Sequence, residues 1–101
     1  MVGLKGRRSR FELYLEVLKV IKNGTEKPTR IMYEVNLSWT LLNKVLSSMV
    51  SQDLVKEIDM SDSRDKRTDR IYRITEKGDT LMRYFHYAEQ LLKPDDSANA
   101  L

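Results

Sequence analysis

Cysteine is absent from this chain of 101 residues, so neither a disulfide nor a thiolate-bound metal can form. Histidine is almost absent too. His86 alone cannot assemble a zinc site without several carboxylates around it, so no metal is expected and His86 reads as a surface or interface residue. No run approaches the roughly 20 apolar residues that cross a bilayer, and the opening MVGLKGRRSR lacks the apolar stretch of a signal peptide. A cytoplasmic protein with no membrane partner is expected. The four glycines form no phosphate-binding loop, no nucleophile stands beside a paired base, and the carboxylates form no cluster beyond surface acids. These gaps argue against an enzyme and against a cofactor. Charge of one sign is scarce as well, since 18 Lys and Arg against 15 Asp and Glu leave a net charge of only +3. That sum is weak evidence for nucleic acid.

The distribution of charge says more. Lys5, Arg7, Arg8 and Arg10 place four cations and no anion in the first ten residues, whereas Asp95 and Asp96 follow Pro94. A chain of this length has surface enough for one modest core. Its first helix is expected from about Ser9 to Asn23, where Phe11, Tyr14, Leu15, Leu18 and Ile21 recur at helical spacing and Leu13, Val17 and Val20 widen the stripe. Ser9 with Glu12 three residues on forms a capping box, and Asn23-Gly24 supplies a left-handed stop. Tyr14 and Tyr33 read as edges of the core.

Pro28 can open a second, short helix because its missing N–H has no partner there in any case, and Ile31, Met32 and Val35 give that helix a buried side. Asn36 tolerates the left-handed conformation that ends it, Leu37 anchors the turn, and Ser38 caps a third helix from Trp39 to about Gln52. In that helix Leu42, Val45, Leu46 and Met49 share one face, leaving Trp39, Thr40, Asn43, Lys44, Ser47 and Ser48 for the other. Two helices joined by so short a turn make a helix-turn-helix. No carboxylate appears in the second of them before Asp53, so its outer face can approach phosphates.

Residues 54–58 and 70–74 read as strands, the second with Tyr72 and Ile74 on one side and Arg73 on the other. The loop between them, Asp59 to Asp69, has no glycine and is too long for a tight hairpin; it is a protruding wing. Thr75 caps a last helix bearing Leu81, Phe85, Ala88 and Leu92 on one stripe and Tyr84, Tyr87 and Leu91 beside it. Some 18 residues of helix span roughly 27 Å, more than the small domain needs, so the far half is expected to pack on another subunit. The expected fold is α+β: a winged helix-turn-helix of three helices, a two-stranded wing hairpin and a C-terminal dimerisation helix. The expected division is a flexible basic arm over 1–8, the winged-helix domain over 9–75, the dimerisation helix over 76–93 and a disordered tail over 94–101.

The segment KPTRIMYEVNLSWTLLNKVL, followed by DLVKEI and IYRITEKG, resembles the archaeal winged helix-turn-helix DNA-binding proteins of the ten-kilodalton class. The resemblance covers nearly all of the chain expected to be ordered. It implies a homodimer joined by a C-terminal antiparallel coiled coil, with Leu81, Tyr84, Phe85, Ala88, Leu91 and Leu92 at the contact. The wing DSRDKRTDRIYRITEKG is also similar to that of MarR-type regulators, which implies that Arg67 and Arg64 enter a minor groove. The recognition-helix role falls by the same resemblance on Ser38 through Lys44.

Double-stranded DNA is then the expected partner of a nucleoid-associated regulator or chromatin protein, with the third helix in the major groove, which alone is wide enough to admit it. Thr40, Asn43 and Lys44 are candidates for reading bases, with Ser38 and Trp39 alongside. Arg30, Arg64, Lys66, Arg67, Arg70 and the arm from Lys5 to Arg10 are candidates for phosphates. Bland readings stand beside these. Trp39 can pack beneath the turn instead, and the wing, with Asp59, Asp62, Asp65 and Asp69 among its cations, can be a solvated loop with internal ion pairs. The rival function is a winged helix that binds protein and not DNA, because fold does not dictate partner.

Overall fold

The computed structural model describes residues 8–60 and 69–92. The arm before Arg8, the loop from 61 to 68 with Arg64, Lys66 and Arg67, and the tail after Leu92 lie outside the described residues. In order, the elements are α1 (Arg10–Lys22), α2 (Pro28–Val35), α3 (Trp39–Ser51), β1 (Val55–Asp59), β2 (Arg70–Ile74) and α4 (Glu76–Leu91).

Each helix starts where its local chemistry dictates. The Ser9 hydroxyl accepts from Glu12 N while the Glu12 carboxylate accepts from Ser9 N, closing the expected capping box. Those bonds, from the backbone first, hold the Glu12 carboxyl below its usual range. Gly24 leaves α1 at φ +107, a conformation that side chains rarely adopt. Pro28 stands at the start of α2, Asn36 ends it in the left-handed region (φ 56, ψ 54), and Ser38 caps α3 by accepting from Leu41 N at 3.1 Å.

The core gathers Leu13, Tyr14, Val17, Leu18 and Ile21 from α1, Ile31 and Val35 from α2, and Leu42, Val45, Leu46 and Met49 from α3, with Leu54, Val55 and Tyr72 closing it from the sheet side. Burying side chains of this kind stabilises by about 1.5–3 kcal/mol each, which is what holds three short helices together. Tyr14 is buried as expected. Tyr33 is not: at 78% exposure it stands on the solvent side of α2, because Ile31 and Val35 take the inward direction and Tyr33 falls opposite them. Phe11 is half-exposed, its ring meeting Phe85 edge to face at 5.6 Å between centroids.

β1 and β2 pair antiparallel, with Val55 opposite Ile74, Glu57 opposite Tyr72 and Ile58 opposite Ile71. The first strand lies one residue later than expected, and Leu54 instead closes the turn after α3 by donating its N–H to Met49 O at 2.8 Å. Alternation holds for Tyr72 and Ile74 against Arg73, yet Ile71 on the outer side is also buried, across from Ile58. The link from Thr25 to Lys27 is more than a connector. Its Glu26 carbonyl accepts from Tyr72 N at 2.9 Å and its Glu26 carboxylate pairs with Arg73 at 3.1 Å, stitching the base of the hairpin to the helix-turn-helix. Tyr72 donates to Glu57 at 2.6 Å; burial first, and then that bond, push its phenol up to about 12.

α4 is docked at its beginning. Thr75 accepts from Gly78 N at 3.0 Å, and its hydroxyl reaches the carbonyls of Asp53 (2.5 Å) and Leu54 (3.0 Å). Gly78 lies so close to the Leu54 carbonyl that any Cβ there would collide with it. Asp79 takes Lys22 of α1 and Arg83 as partners, and Leu81 and Met82 pack on the core cluster.

Candidate nucleic-acid interface

The inward face of α3 is sealed, with Leu42, Val45, Leu46 and Met49 each at most 1% exposed, so the opposite face is fixed in direction by the core itself. Thr40, Lys44, Ser47 and Ser51 line that outer stripe and are exposed. Among the described residues Thr40 and Lys44 have no hydrogen-bond or ion-pair partner, which leaves both side chains available to a ligand. No residue from Trp39 to Ser51 is acidic.

Other members of the expected set are placed differently. Ser38 spends its hydroxyl on the cap. Asn43 is half-buried and its amide donates to Trp39 O at 2.9 Å, so it must leave its own helix backbone before it can pair with an adenine edge. Trp39 is 45% exposed at the first position of α3 and is not tucked beneath the turn. Leu41 and Val50 are also partly in solvent, flanking the stripe with apolar surface that helical spacing alone did not single out. Ser48, counted with the outer face by its spacing, is half-buried and bonded to the Tyr14 hydroxyl, while Gln52 donates to that same oxygen at 3.2 Å; these bonds tie α3 back to α1.

Arg30 stands exposed on the outer side of α2 with Thr29, Tyr33 and Glu34 around a shallow depression. Among the described residues it has no ion-pair partner. Arg70 pairs with Glu57 at 3.3 Å across the base of the hairpin. Arg8, grouped with the arm, is instead bound to Glu16 and to the carbonyls of Val35 and Asn36. No sequence pattern signals this contact, because its partners lie up to 28 residues away.

On α4, Leu81 and Phe85 turn toward their own chain, while Tyr84, Ala88, Leu91 and Leu92 stand in solvent with Tyr87. Among the described residues no helix is long and apolar enough to cross a membrane, and no cluster of His, Asp or Glu is arranged to hold a metal.

A family model described as winged helix-turn-helix matches residues 7–93 of this chain. The chain belongs to the winged helix-turn-helix family. This winged helix is similar to two proteins of Methanocaldococcus jannaschii. Uncharacterized protein MJ0290 is 27% identical over 89 residues, covering 88% of this chain and 37% of that protein. Uncharacterized protein MJ0287 is 39% identical over 51 residues, covering 50% of this chain and 53% of that protein. The chain thus spans only part of either archaeal relative. Among solved structures, a mutant MarR from E. coli complexed with operator DNA matches with a TM-score of 0.64 at 20% identity, over 74% of this chain and 52% of that one. The transcriptional regulator YodB from B. subtilis in its reduced form matches at 0.66 and 20%, over 88% and 81%. PadR of Bacillus subtilis in complex with operator DNA matches at 0.65 and 11%, over 72% and 45%. At these identities the likeness is one of fold.

Proposed function

We propose that this winged helix binds double-stranded DNA as a homodimer and acts as a transcriptional regulator or chromatin protein of the cytoplasmic nucleoid, without catalysis. One observation carries the reading: the outer stripe of α3 is exposed, free of carboxylates, and holds Thr40 and Lys44 without partners among the described residues. Set in a major groove, Lys44 donates to guanine or phosphate and Thr40 meets an acceptor or a thymine methyl. Asn43 joins them once its amide turns outward. Arg30 holds the backbone beside them, and the wing, through Arg64, Lys66 and Arg67 with Arg70 at its base, reaches phosphates or the minor groove. That MarR and PadR, which share the fold, have been crystallised with operator DNA supports the assignment.

The dimer completes the site, since two half-sites on one face of a duplex need two recognition helices held a helical turn apart. Exposed Tyr84, Tyr87, Leu91 and Leu92 on the far half of α4 are the surface that supports it.

Binding to a generic duplex at two salt concentrations tests the reading on the native chain, Lys44→Ala, Arg30→Ala and Arg67→Ala. Affinity is expected to fall steeply with salt, and each variant that loses a phosphate contact to lower the salt slope by about one. A native chain that fails to bind at low salt returns the surface to the rival reading, a protein partner, which the pairing of Arg70 and Arg73 with Glu57 and Glu26 favours.

A further inference from the structure

The Arg8 guanidinium joins three acceptors from two helices. Nη1 lies 2.5 Å from a Glu16 carboxylate oxygen and 2.9 Å from Val35 O, and Nη2 lies 3.2 Å from Asn36 O. Val35 and Asn36 end α2, where carbonyls have no donor inside the helix and the helix dipole is negative. Between them runs the peptide that enters the left-handed Asn36, and two residues later Ser38 caps α3. Glu16 sits on α1, anchored by Val17 and Leu18, which are fully buried.

We infer that Arg8 is a positioning residue of the DNA interface: by clamping the end of α2 to α1 it fixes the turn from which α3 departs, and so the angle at which Thr40 and Lys44 are presented. This rests on the DNA reading above. A planar fork with several fixed donors can hold a carboxylate and two carbonyls at once, whereas an ammonium on a flexible stem holds them far less firmly. The same geometry draws Arg8 away from the phosphate contacts expected of the basic arm, because three of its five donors are spent on the protein.

Trp39 is the only tryptophan of the chain and the first residue of α3, so it reports on the turn directly. The experiment compares the native chain with Arg8→Ala, Arg8→Lys and Glu16→Gln, measuring acrylamide quenching of Trp39 and affinity for a generic duplex across a salt series. Arg8→Ala and Arg8→Lys are expected to raise Trp39 quenching and to weaken duplex binding roughly threefold to tenfold with an unchanged salt slope. Glu16→Gln, which leaves both carbonyl contacts in place, moves the same readouts by less. Unchanged Trp39 quenching in Arg8→Ala overturns the inference, as does full rescue by Arg8→Lys or a salt slope lowered by about one, which would make Arg8 a phosphate contact. A native chain that does not bind the duplex defeats the DNA reading alone, and the Trp39 response still decides whether Arg8 sets the turn.

Discussion

Along α4, the first half faces its own chain and the second half faces water. Thr75, Gly78, Asp79, Leu81 and Met82 fasten the beginning of the helix to the α3–β1 turn, to Lys22 and to the core, and just past the midpoint Phe85 meets Phe11. Beyond it Tyr87, Ala88, Leu91 and Leu92 are exposed, as is Tyr84 on the flank. Both halves carry apolar side chains at helical spacing. The period therefore reports that a face seeks cover, and only packing distinguishes cover by the same chain from cover by another.

The sharpest break in this comparison comes from Gly78→Ala, which pushes a methyl into the Leu54 carbonyl and should cost about 3 kcal/mol in urea unfolding, since backbone cannot yield as a side-chain tip does. An unchanged midpoint would mean that the near half is not docked as described. At the far half, Leu91→Asp should leave monomer stability within about 0.5 kcal/mol. It should also weaken self-association by roughly thirtyfold in sedimentation equilibrium, the effect of losing one interface hot spot. Leu81→Asp should instead lose stability as well, because Leu81 packs on the core. Removing the cap by Thr75→Ala should cost about 1.5 kcal/mol, measured by thermal unfolding, with no change in sedimentation at temperatures where the fold is intact.

The smallest effect is electrostatic. The Asp79 carboxyl is held below its usual range chiefly by its bond to Lys22, with Arg83 adding to it. Because its folded value lies below the unfolded one near 3.9, its contribution is complete above that pH and lost as pH falls through the folded value. Asp79→Asn should flatten the acid limb of the stability curve to that extent, and an identical limb would remove Asp79 from the docking of α4.

Much of the fold was legible because its punctuation is local. Ser9 with Glu12, Gly24, Asn36, Ser38 and Thr75 act on atoms a few residues away, so their types and spacing were enough to place the helices they bound. The buried face of α3 followed from its period, and with it the outward direction of Thr40 and Lys44. What escaped depends on distant chain. Tyr33 looked like a core edge because aromatics usually seek cover, but the direction set by Ile31 and Val35 turns it to solvent. Asn43 and Arg8 have the right chemistry for DNA, yet each meets a backbone carbonyl first, and for Arg8 the helix that offers it is far along the sequence.

The bond from Tyr72 N to the Glu26 carbonyl has a consequence for behaviour at high concentration. It occupies the outer side of β2, and among the described residues no further strand pairs with β1, so β1 is the edge the sheet presents. That edge carries Lys56, Glu57 and Asp59, charges at three of its five positions, and charged edges resist the strand-to-strand addition that seeds amyloid. Among the described residues the exposed large apolar side chains, Met60 apart, thus lie on or next to helices, and the sheet edge is charged against fibre growth.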